Sequence, residues 1–300
     1  MALNAALDVT YVVDGVRWHA GNRVTSVAER AGGKGTNVAR VLSALGHEVV
    51  VTGLVAGNTG ERIRRDLAAA GISEAFLPVP GESRRTLAVV DTIAGDATGF
   101  WEAGPRIAAE HWAAFLDHYR RLLPSASGVA LSGSAPTGLP EDAYAQLVAA
   151  ARDAGVPAVL DADGTALRLG VAAGPEIVKP NAEELRAATG HDDPLAGSEL
   201  LLRDGANAVV VSVGADGLVA STPQHRWMAR PPARLSGNPT GAGDACVAGL
   251  VRGLVTGSSW PERLAEAVAL SAAAVLRPLA GDVDLDAYRR FRDSVLVKEV

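Results

Sequence analysis

The chain has 300 residues, 48% of them hydrophobic, and a formal net charge of −6, so it can bury a substantial core. This acidic balance, without a basic stripe, argues against a nucleic-acid-binding protein. A single cysteine, Cys246, excludes an intrachain disulfide and suits a reducing compartment. The chain begins without a basic, apolar leader, and no apolar run approaches the roughly 20 residues that span a bilayer. We therefore expect a cytoplasmic protein without a membrane segment.

Two stretches in the first third of the chain are typical of antiparallel strands joined by turns. They cover residues 11–30 and 75–102, with Asp14-Gly15 and Ala94-Gly95-Asp96 as suitable hairpin corners. Together they predict one small sheet that projects from the main domain as a lid. Its open face would need a substrate or a partner subunit to cover it, so we expect a homodimer formed through the lid.

From about residue 127 onward, short apolar strands alternate with alanine-rich helical patterns. This alternation predicts a parallel sheet with helices on both faces, in a single α/β domain that spans residues 1–300. The predicted strands are 128–133, 156–163, 176–181 and 207–214, and the predicted helices are 140–155 and 182–190.

The stretch NPTGAGDACVAG, residues 238–249, places Asp244 directly after Gly241-Ala242-Gly243 and at the start of a helical pattern. Free N–H groups in the first turn of a helix, together with the helix dipole, form an anion-binding site. The three small residues would stabilise a transferring phosphoryl group while Asp244, with an ordinary pKa, takes the proton of an attacking alcohol. The alternative is that Asp244 simply caps the helix.

Three further glycine-rich or polar turns follow the same logic. In AGGKGTNVARVLSALG, residues 31–46, Gly33, Lys34 and Asn37 can hydrogen-bond a polyol, or the glycines can simply form a turn before a helix. In VKPNAEEL, residues 178–185, an amide and a carboxylate three residues apart can orient Mg²⁺-bound water, or can form a capping box. In SVGADGLV, residues 212–219, the glycines can admit a nucleotide or form a tight turn between strands. The Walker A loop and the dinucleotide fingerprint are both missing.

The order and spacing of these motifs resemble the ribokinase/PfkB carbohydrate kinase family over essentially the whole chain. The segments LNAALDVTY, GNR at 21–23, AGGKGTNVARVLSALG and SGSAPTGLP at 132–140 are most similar to the branch that contains 1-phosphofructokinase and tagatose-6-phosphate kinase. The resemblance implies a Rossmann-like, ribokinase-like α/β fold with a β-sheet lid. It also implies transfer of the ATP γ-phosphoryl group to a hydroxyl of a hexose phosphate, with Mg²⁺ as the metal.

The resemblance also implies roles for individual residues. The catalytic base would be Asp244, with Gly241, Ala242 and Gly243 as the anion hole. The substrate-binding residues would be Asp8, Arg23, Gly33, Lys34, Asn37, Arg84 and Ser134. The nucleotide and its metal would involve Lys179, Asn181, Glu184, Ser212, Gly214 and Gly217, with Asn181 and Glu184 reaching Mg²⁺ through water.

An acceptor that already carries a phosphate needs fixed cations near the lid. Arg84 matches the phosphate-binding arginine of the branch best, and Arg85 is the competing assignment. Asn238 stands where many relatives have Asp near a monovalent-cation site, which argues against potassium activation. A free-sugar or nucleoside kinase of the same fold, and a non-catalytic sugar-sensing relative, remain alternatives.

Overall fold

A computed structural model describes residues 1–300 and contains thirteen strands and ten α-helices. The strands are β1 Ala6–Val13, β2 Val24–Gly32, β3 Val50–Val55, β4 Ser73–Pro78, β5 Arg84–Asp91, β6 Asp96–Trp101, β7 Val129–Ser132, β8 Ala158–Asp161, β9 Ile177–Val178, β10 Val209–Ser212, β11 Leu218–Ser221, β12 Arg226–Arg230 and β13 Leu296–Glu299. The helices are α1 Lys34–Ala44, α2 Gly57–Ala69, α3 Ala109–Leu122, α4 Ala143–Asp153, α5 Gly164–Ala172, α6 Ala182–Thr189, α7 Pro194–Arg203, α8 Ala242–Val255, α9 Trp260–Val275 and α10 Leu285–Arg292.

The largest sheet has seven strands in the order β13-β12-β11-β10-β9-β8-β7. Strands β7 to β10 are parallel, and β11 to β13 extend the sheet in antiparallel fashion. Every strand and helix predicted from residue 127 to residue 214 is present with shorter bounds, and the strand predicted over 176–181 is reduced to Ile177–Val178. The predicted parallel sheet is therefore confirmed.

Helices cover both faces of this sheet because successive side chains of its strands point to opposite sides. Leu131, Leu160 and Val209 pack into one apolar cluster with α3, α4 and α5. Their neighbours along the same strands, among them Val159 and Val210, pack into a second cluster with α8 and α9. Two separate cores thus hold the strands in place from either side. No helix is both long enough and apolar enough to cross a membrane.

The N-terminal residues link the large sheet to β3 and β4, which pair with each other in parallel. The Ala2 amide donates to the Thr52 carbonyl at 2.8 Å, and the Met1 amine donates to the Ala130 carbonyl at 2.6 Å. The chain start therefore lies between β3 and β7.

The predicted small sheet is present and has four strands in the order β2-β1-β5-β6. Two details of the prediction were wrong. Residues 75–78 belong to β4, which pairs with β3 instead of joining the small sheet. Residues 14–23 form a long connection between β1 and β2, so Asp14-Gly15 begins a loop and not a tight hairpin. The corner at residues 92–95 is confirmed, because Asp91 pairs directly with Asp96.

Strand β1 anchors the small sheet to the rest of the molecule. Leu7 and Val9 are buried against Ile63 and Leu67 of α2. Because side chains alternate along a strand, Asp8 lies on the opposite face of the sheet.

Candidate active site

One cavity of about 690 Å³ lies where the carboxyl ends of β7, β8 and β10 meet the first turns of α1, α6 and α8. Open α/β sheets bind their ligands at this edge. The small sheet contributes Asp8, Thr86 and Trp101 to its wall. Most of the predicted site residues line it, namely Asp8, Gly33, Lys34, Asn37, Arg84, Ser134, Lys179, Asn181, Glu184, Ser212, Gly241, Gly243 and Asp244.

Asp244 lies in the first turn of α8 and is only 7% exposed. Gly241 precedes the helix in the left-handed conformation, with φ of 86°, which only glycine adopts readily. The carboxylate accepts a hydrogen bond from Asn37 Nδ2 at 2.8 Å, and α8 has no side-chain cap. The capping alternative for Asp244 is therefore wrong, and its carboxylate faces the cavity instead.

Burial raises the pKa of Asp244 to about 7, and the nearby charge of Asp161 adds to this effect. The Asn37 hydrogen bond and the ammonium groups of Lys34 and Lys179 oppose it. The expected ordinary pKa was thus wrong, because desolvation and the charge of Asp161 outweigh the hydrogen bond from Asn37 and the two ammonium groups. A carboxyl that titrates near neutrality is well matched to proton transfer at physiological pH.

Asp161 holds the two lysines of the cavity and was not identified from the sequence. Its carboxylate ends β8, is 1% exposed, and lies 3.2 Å from Lys179 Nζ and 3.5 Å from Lys34 Nζ. Burial acts to lower the pKa of both lysines. The negative charge of Asp161 acts in the opposite direction, and the pKa of each lysine lies above its ordinary value. Both lysines therefore stay charged. The signal for Asp161 was available, since an acidic residue that ends a buried parallel strand reaches the ligand edge of the sheet.

Asn181 and Glu184 form the capping box that the sequence allowed. Asn181 Oδ1 accepts from the Glu184 amide, and Glu184 Oε2 accepts from the Asn181 amide, each at 2.8 Å. The second carboxylate oxygen, Glu184 Oε1, lies 3.8 Å from Lys34 Nζ. The structure holds no group of three His, Cys, Asp or Glu side chains arranged to bind a metal ion directly. A metal here would need ligands from water or phosphate in addition to Glu184.

The small-sheet side of the cavity carries a buried carboxylate and a guanidinium. Thr86 Oγ1 donates to Asp8 Oδ1, and burial raises the pKa of Asp8. Gly32 makes room for this carboxylate, because a Cβ at that position would overlap Asp8 Oδ2. Arg84 donates Nε to the Asn4 carbonyl at 3.0 Å, which leaves its terminal amino groups for a ligand.

The two arginines that were alternatives for binding the acceptor phosphate lie in different environments. Arg84 lines the cavity that contains Asp244. Arg85 is exposed on the other face of β5, where its guanidinium pairs with Glu102 at 2.7 Å. Only Arg84 shares a cavity with the candidate base.

Four predicted site residues do not line the cavity. Arg23 is exposed in the connection between β1 and β2, directly before β2 begins. Ala242 lies between two glycines that do line the cavity. Gly214 and Gly217 have φ of 61° and 95° and form the tight turn between β10 and β11, which was the alternative for this motif.

The model of the pfkB family of carbohydrate kinases matches residues 2–287. The chain belongs to this family.

This pfkB carbohydrate kinase is also similar to solved structures along its whole length. Phosphofructokinase-2 from Escherichia coli, solved in complex with potassium, has a TM-score of 0.92 and 26% identity, over 97% of this chain and 96% of that one. A Thermotoga maritima protein described as a possible 1-phosphofructokinase has a TM-score of 0.90 and 27% identity, over 100% and 98% of the two chains. The ribokinase-like fold and an ATP-dependent sugar kinase activity follow from the family.

Proposed function

We propose that the protein transfers the γ-phosphoryl group of ATP to a hydroxyl of a hexose phosphate. The observation that carries this proposal is the position of Asp244. Its buried carboxylate sits beside the Gly241–Gly243 turn, in the same cavity as Lys34 and Lys179. A base, an anion-binding turn and fixed cations are the parts that phosphoryl transfer requires.

In this mechanism, Asp244 accepts the proton of the acceptor hydroxyl as the oxygen attacks the γ-phosphorus. Asn37 fixes the direction of the carboxylate through its 2.8 Å hydrogen bond. The backbone N–H groups at the start of α8 stabilise the charge that develops on the transferring group. Lys34 and Lys179 neutralise further phosphate charge, and Asp161 holds both in place.

The oxygen donors of the cavity fit Mg²⁺, which prefers oxygen ligands and retains several of its waters. Glu184 has one carboxylate oxygen outside the capping box, and the Asp161 carboxylate faces the same space. Glu184 would hold the hydrated ion, whereas Asn181, which was expected to share this role, uses its Oδ1 in the capping box, and Asp161 pairs with the two lysines. When bound, the ion would shield the charge of the phosphate oxygens of the nucleotide.

The acceptor phosphate would bind to Arg84, at the small-sheet end of the cavity. Arginine grips a phosphate through two parallel hydrogen bonds, and the terminal amino groups of Arg84 have no partner in the protein. Acceptors of the fructose 1-phosphate or tagatose 6-phosphate class suit this arrangement. Fructose 6-phosphate is a further candidate acceptor, since E. coli phosphofructokinase-2 has been solved in complex with it.

A panel of acceptors tests the proposal. ADP release is followed with fructose 1-phosphate, fructose 6-phosphate, tagatose 6-phosphate, the corresponding free sugars and nucleosides. A hexose phosphate should give the highest kcat/KM. A free sugar or a nucleoside as the best acceptor would contradict the proposal, and the absence of any turnover would favour the sugar-sensing alternative.

The variant Arg84→Ala provides a second test, with Arg85→Ala as its matched control. For the best hexose phosphate, Arg84→Ala should raise KM by about 10- to 100-fold for each charge-assisted hydrogen bond lost. Arg85→Ala should leave KM within about twofold, because an exposed ion pair contributes little. Equal effects of the two variants on KM would contradict the binding of the acceptor phosphate by Arg84.

We further propose that the small sheet is a lid, that it forms a homodimer, and that the protein works in the cytoplasm. Val27 and Phe100 lie on the same face of this sheet and are 58% and 52% exposed, and exposed apolar patches of this kind often mark interaction surfaces. Light scattering should give a dimer mass, which Val27→Glu should shift towards the monomer. A monomeric wild-type protein would contradict the dimer.

A further inference from the structure

A short loop, Leu279–Asp282, packs directly against the turn that precedes α8. A Cβ added to Gly241 would lie 2.9 Å from Ala280 Cα and 3.1 Å from the Gly281 amide nitrogen. The same loop touches α1, since a Cβ added to Gly281 would lie 3.0 Å from Asn37 Oδ1. We call this segment the 279–282 loop. It therefore borders both the anion-binding turn and the residue that orients Asp244.

One side chain of the small sheet holds this loop. Arg30, near the end of β2, donates Nη2 to Asp282 Oδ1 at 2.6 Å and Nη1 to the Ala280 carbonyl at 3.4 Å. The two side chains of the ion pair are only 20% and 30% exposed. Because the guanidinium is planar, two contacts fix its orientation and that of the loop.

Arg30 is also tied to the acceptor side of the cavity. It pairs across the strands with Asp8 in the register of β1 and β2. A shift of the small sheet that moves Asp8 therefore moves Arg30 as well. The 279–282 loop would move with Arg30, and its packing against Gly241 and Asn37 would change.

We propose that Arg30 is a positioning residue that couples the small sheet to the phosphoryl-transfer turn through Asp282 and Ala280. This inference rests on the proposed role of Asp244 and its turn. Arg30 acts on neither substrate itself. It holds the 279–282 loop so that the turn and Asn37 keep their places around Asp244 when the sheet is seated on the acceptor.

The neighbouring residue on β2 gives a matched control. Glu29 forms an ion pair with Arg62 of α2, so it also ties the strand to the rest of the molecule. This contact is with α2 and not with the 279–282 loop. Glu29→Gln therefore removes a charge pair from the same strand without touching the proposed connection.

The experiment compares Arg30→Gln, Asp282→Asn, the double variant and Glu29→Gln, using the best acceptor of the wild-type protein. Arg30→Gln and Asp282→Asn should each lower kcat by about 10- to 100-fold, because small displacements of reacting groups have effects of this size. KM for the acceptor and the melting temperature should stay close to those of Glu29→Gln. The double variant should be no slower than the slower single variant, since both substitutions break one connection.

Hydrogen–deuterium exchange gives a readout that does not depend on activity. In Arg30→Gln, amides of residues 238–245 should exchange faster than in the wild type, whereas in Glu29→Gln they should not. Arg30→Lys should restore part of kcat, because lysine can still pair with Asp282. Wild-type kcat and unchanged exchange in Arg30→Gln would overturn the inference. Its failure is distinct from that of the proposed function, which is decided by the acceptor panel with the wild-type protein.

Discussion

Replacing Asp244 by asparagine should make the protein more stable and nearly inactive. The carboxylate is 7% exposed, and its pKa rises from 3.8 to about 7 on folding. A shift of about 3 units corresponds to a cost of ~4 kcal/mol for keeping the carboxylate ionised in the folded protein. An amide of the same shape removes that cost but cannot accept a proton.

The sign of the pH dependence follows from linkage. A carboxyl group whose pKa is higher in the folded than in the unfolded state contributes stability at low pH and loses it as the pH rises through the folded pKa. The unfolding free energy of the wild type should therefore fall between about pH 4 and pH 8 because of this carboxyl group. Between about pH 5.5 and pH 8, the advantage of Asp244→Asn in unfolding free energy should grow by about 2 kcal/mol.

Urea unfolding at about pH 5.5, 7 and 8 measures this difference, with Asp216→Asn as the control. Asp216 is an exposed carboxylate paired with Arg234, so its replacement should leave stability and turnover nearly unchanged. In the same samples, Asp244→Asn should lower kcat by about 10²- to 10⁴-fold, the usual contribution of a general base, while ATP still binds. Wild-type turnover, or a stability difference that does not change with pH, would refute the reasoning.

Three other predictions concern the surroundings of Asp244. Asn37→Ala removes a donor that lowers the pKa of Asp244, so the acid limb of the kcat/KM profile should move to higher pH; an unmoved limb would contradict this. Gly241→Ala should lower the unfolding free energy by about 1–3 kcal/mol because of the positive φ at this position, and it should also lower kcat. Gly214→Ala is the control: its added Cβ meets no atom within 4 Å, so it should change stability alone. Asn238 Nδ2 donates to the Pro278 carbonyl at 2.9 Å, so turnover should be equal in sodium and potassium buffers. Asn238→Asp should make turnover depend on potassium, because two oxygens would then face each other. Potassium activation of the wild type would contradict this prediction.

Sequence patterns identified β7 to β10 because these apolar strands are buried from both sides, and they also identified α4, α6 and the start of α8. The helices α5, α7, α9 and α10 and the antiparallel strands β11 to β13 were not predicted. Sequence patterns were less reliable where strands are half exposed. Residues 75–78 have the same β-rich composition as β5, and local sequence does not reveal that they pair with β3. Strand partners depend on contacts between distant parts of the chain, which local propensity does not encode.

The sequence predicted residues that line the cavity in the glycine-rich turns before α1 and α8, but the glycines of the turn between β10 and β11 do not line it. Lys34, Asn37 and Asp244 were found because they follow glycines at the starts of helices. Asp161 is the last residue of β8 and has no glycine beside it, and its one signal, an acidic residue at the end of a buried strand, was overlooked. The raised pKa of Asp244 could not be read from the sequence either, since it depends on how tightly α1 and α8 enclose the carboxylate.

The alternation along β1 has a consequence for how such an enzyme can change its choice of sugar during evolution. Leu7 and Val9 support the core, while Asp8 between them faces the cavity. Most substitutions on this strand would therefore threaten folding before they altered selectivity. Trp101 is 76% exposed yet borders the same cavity, so it can be exchanged at little structural cost. New acceptor preferences should arise first at the outer edge of the small sheet, with the inner strand left unchanged.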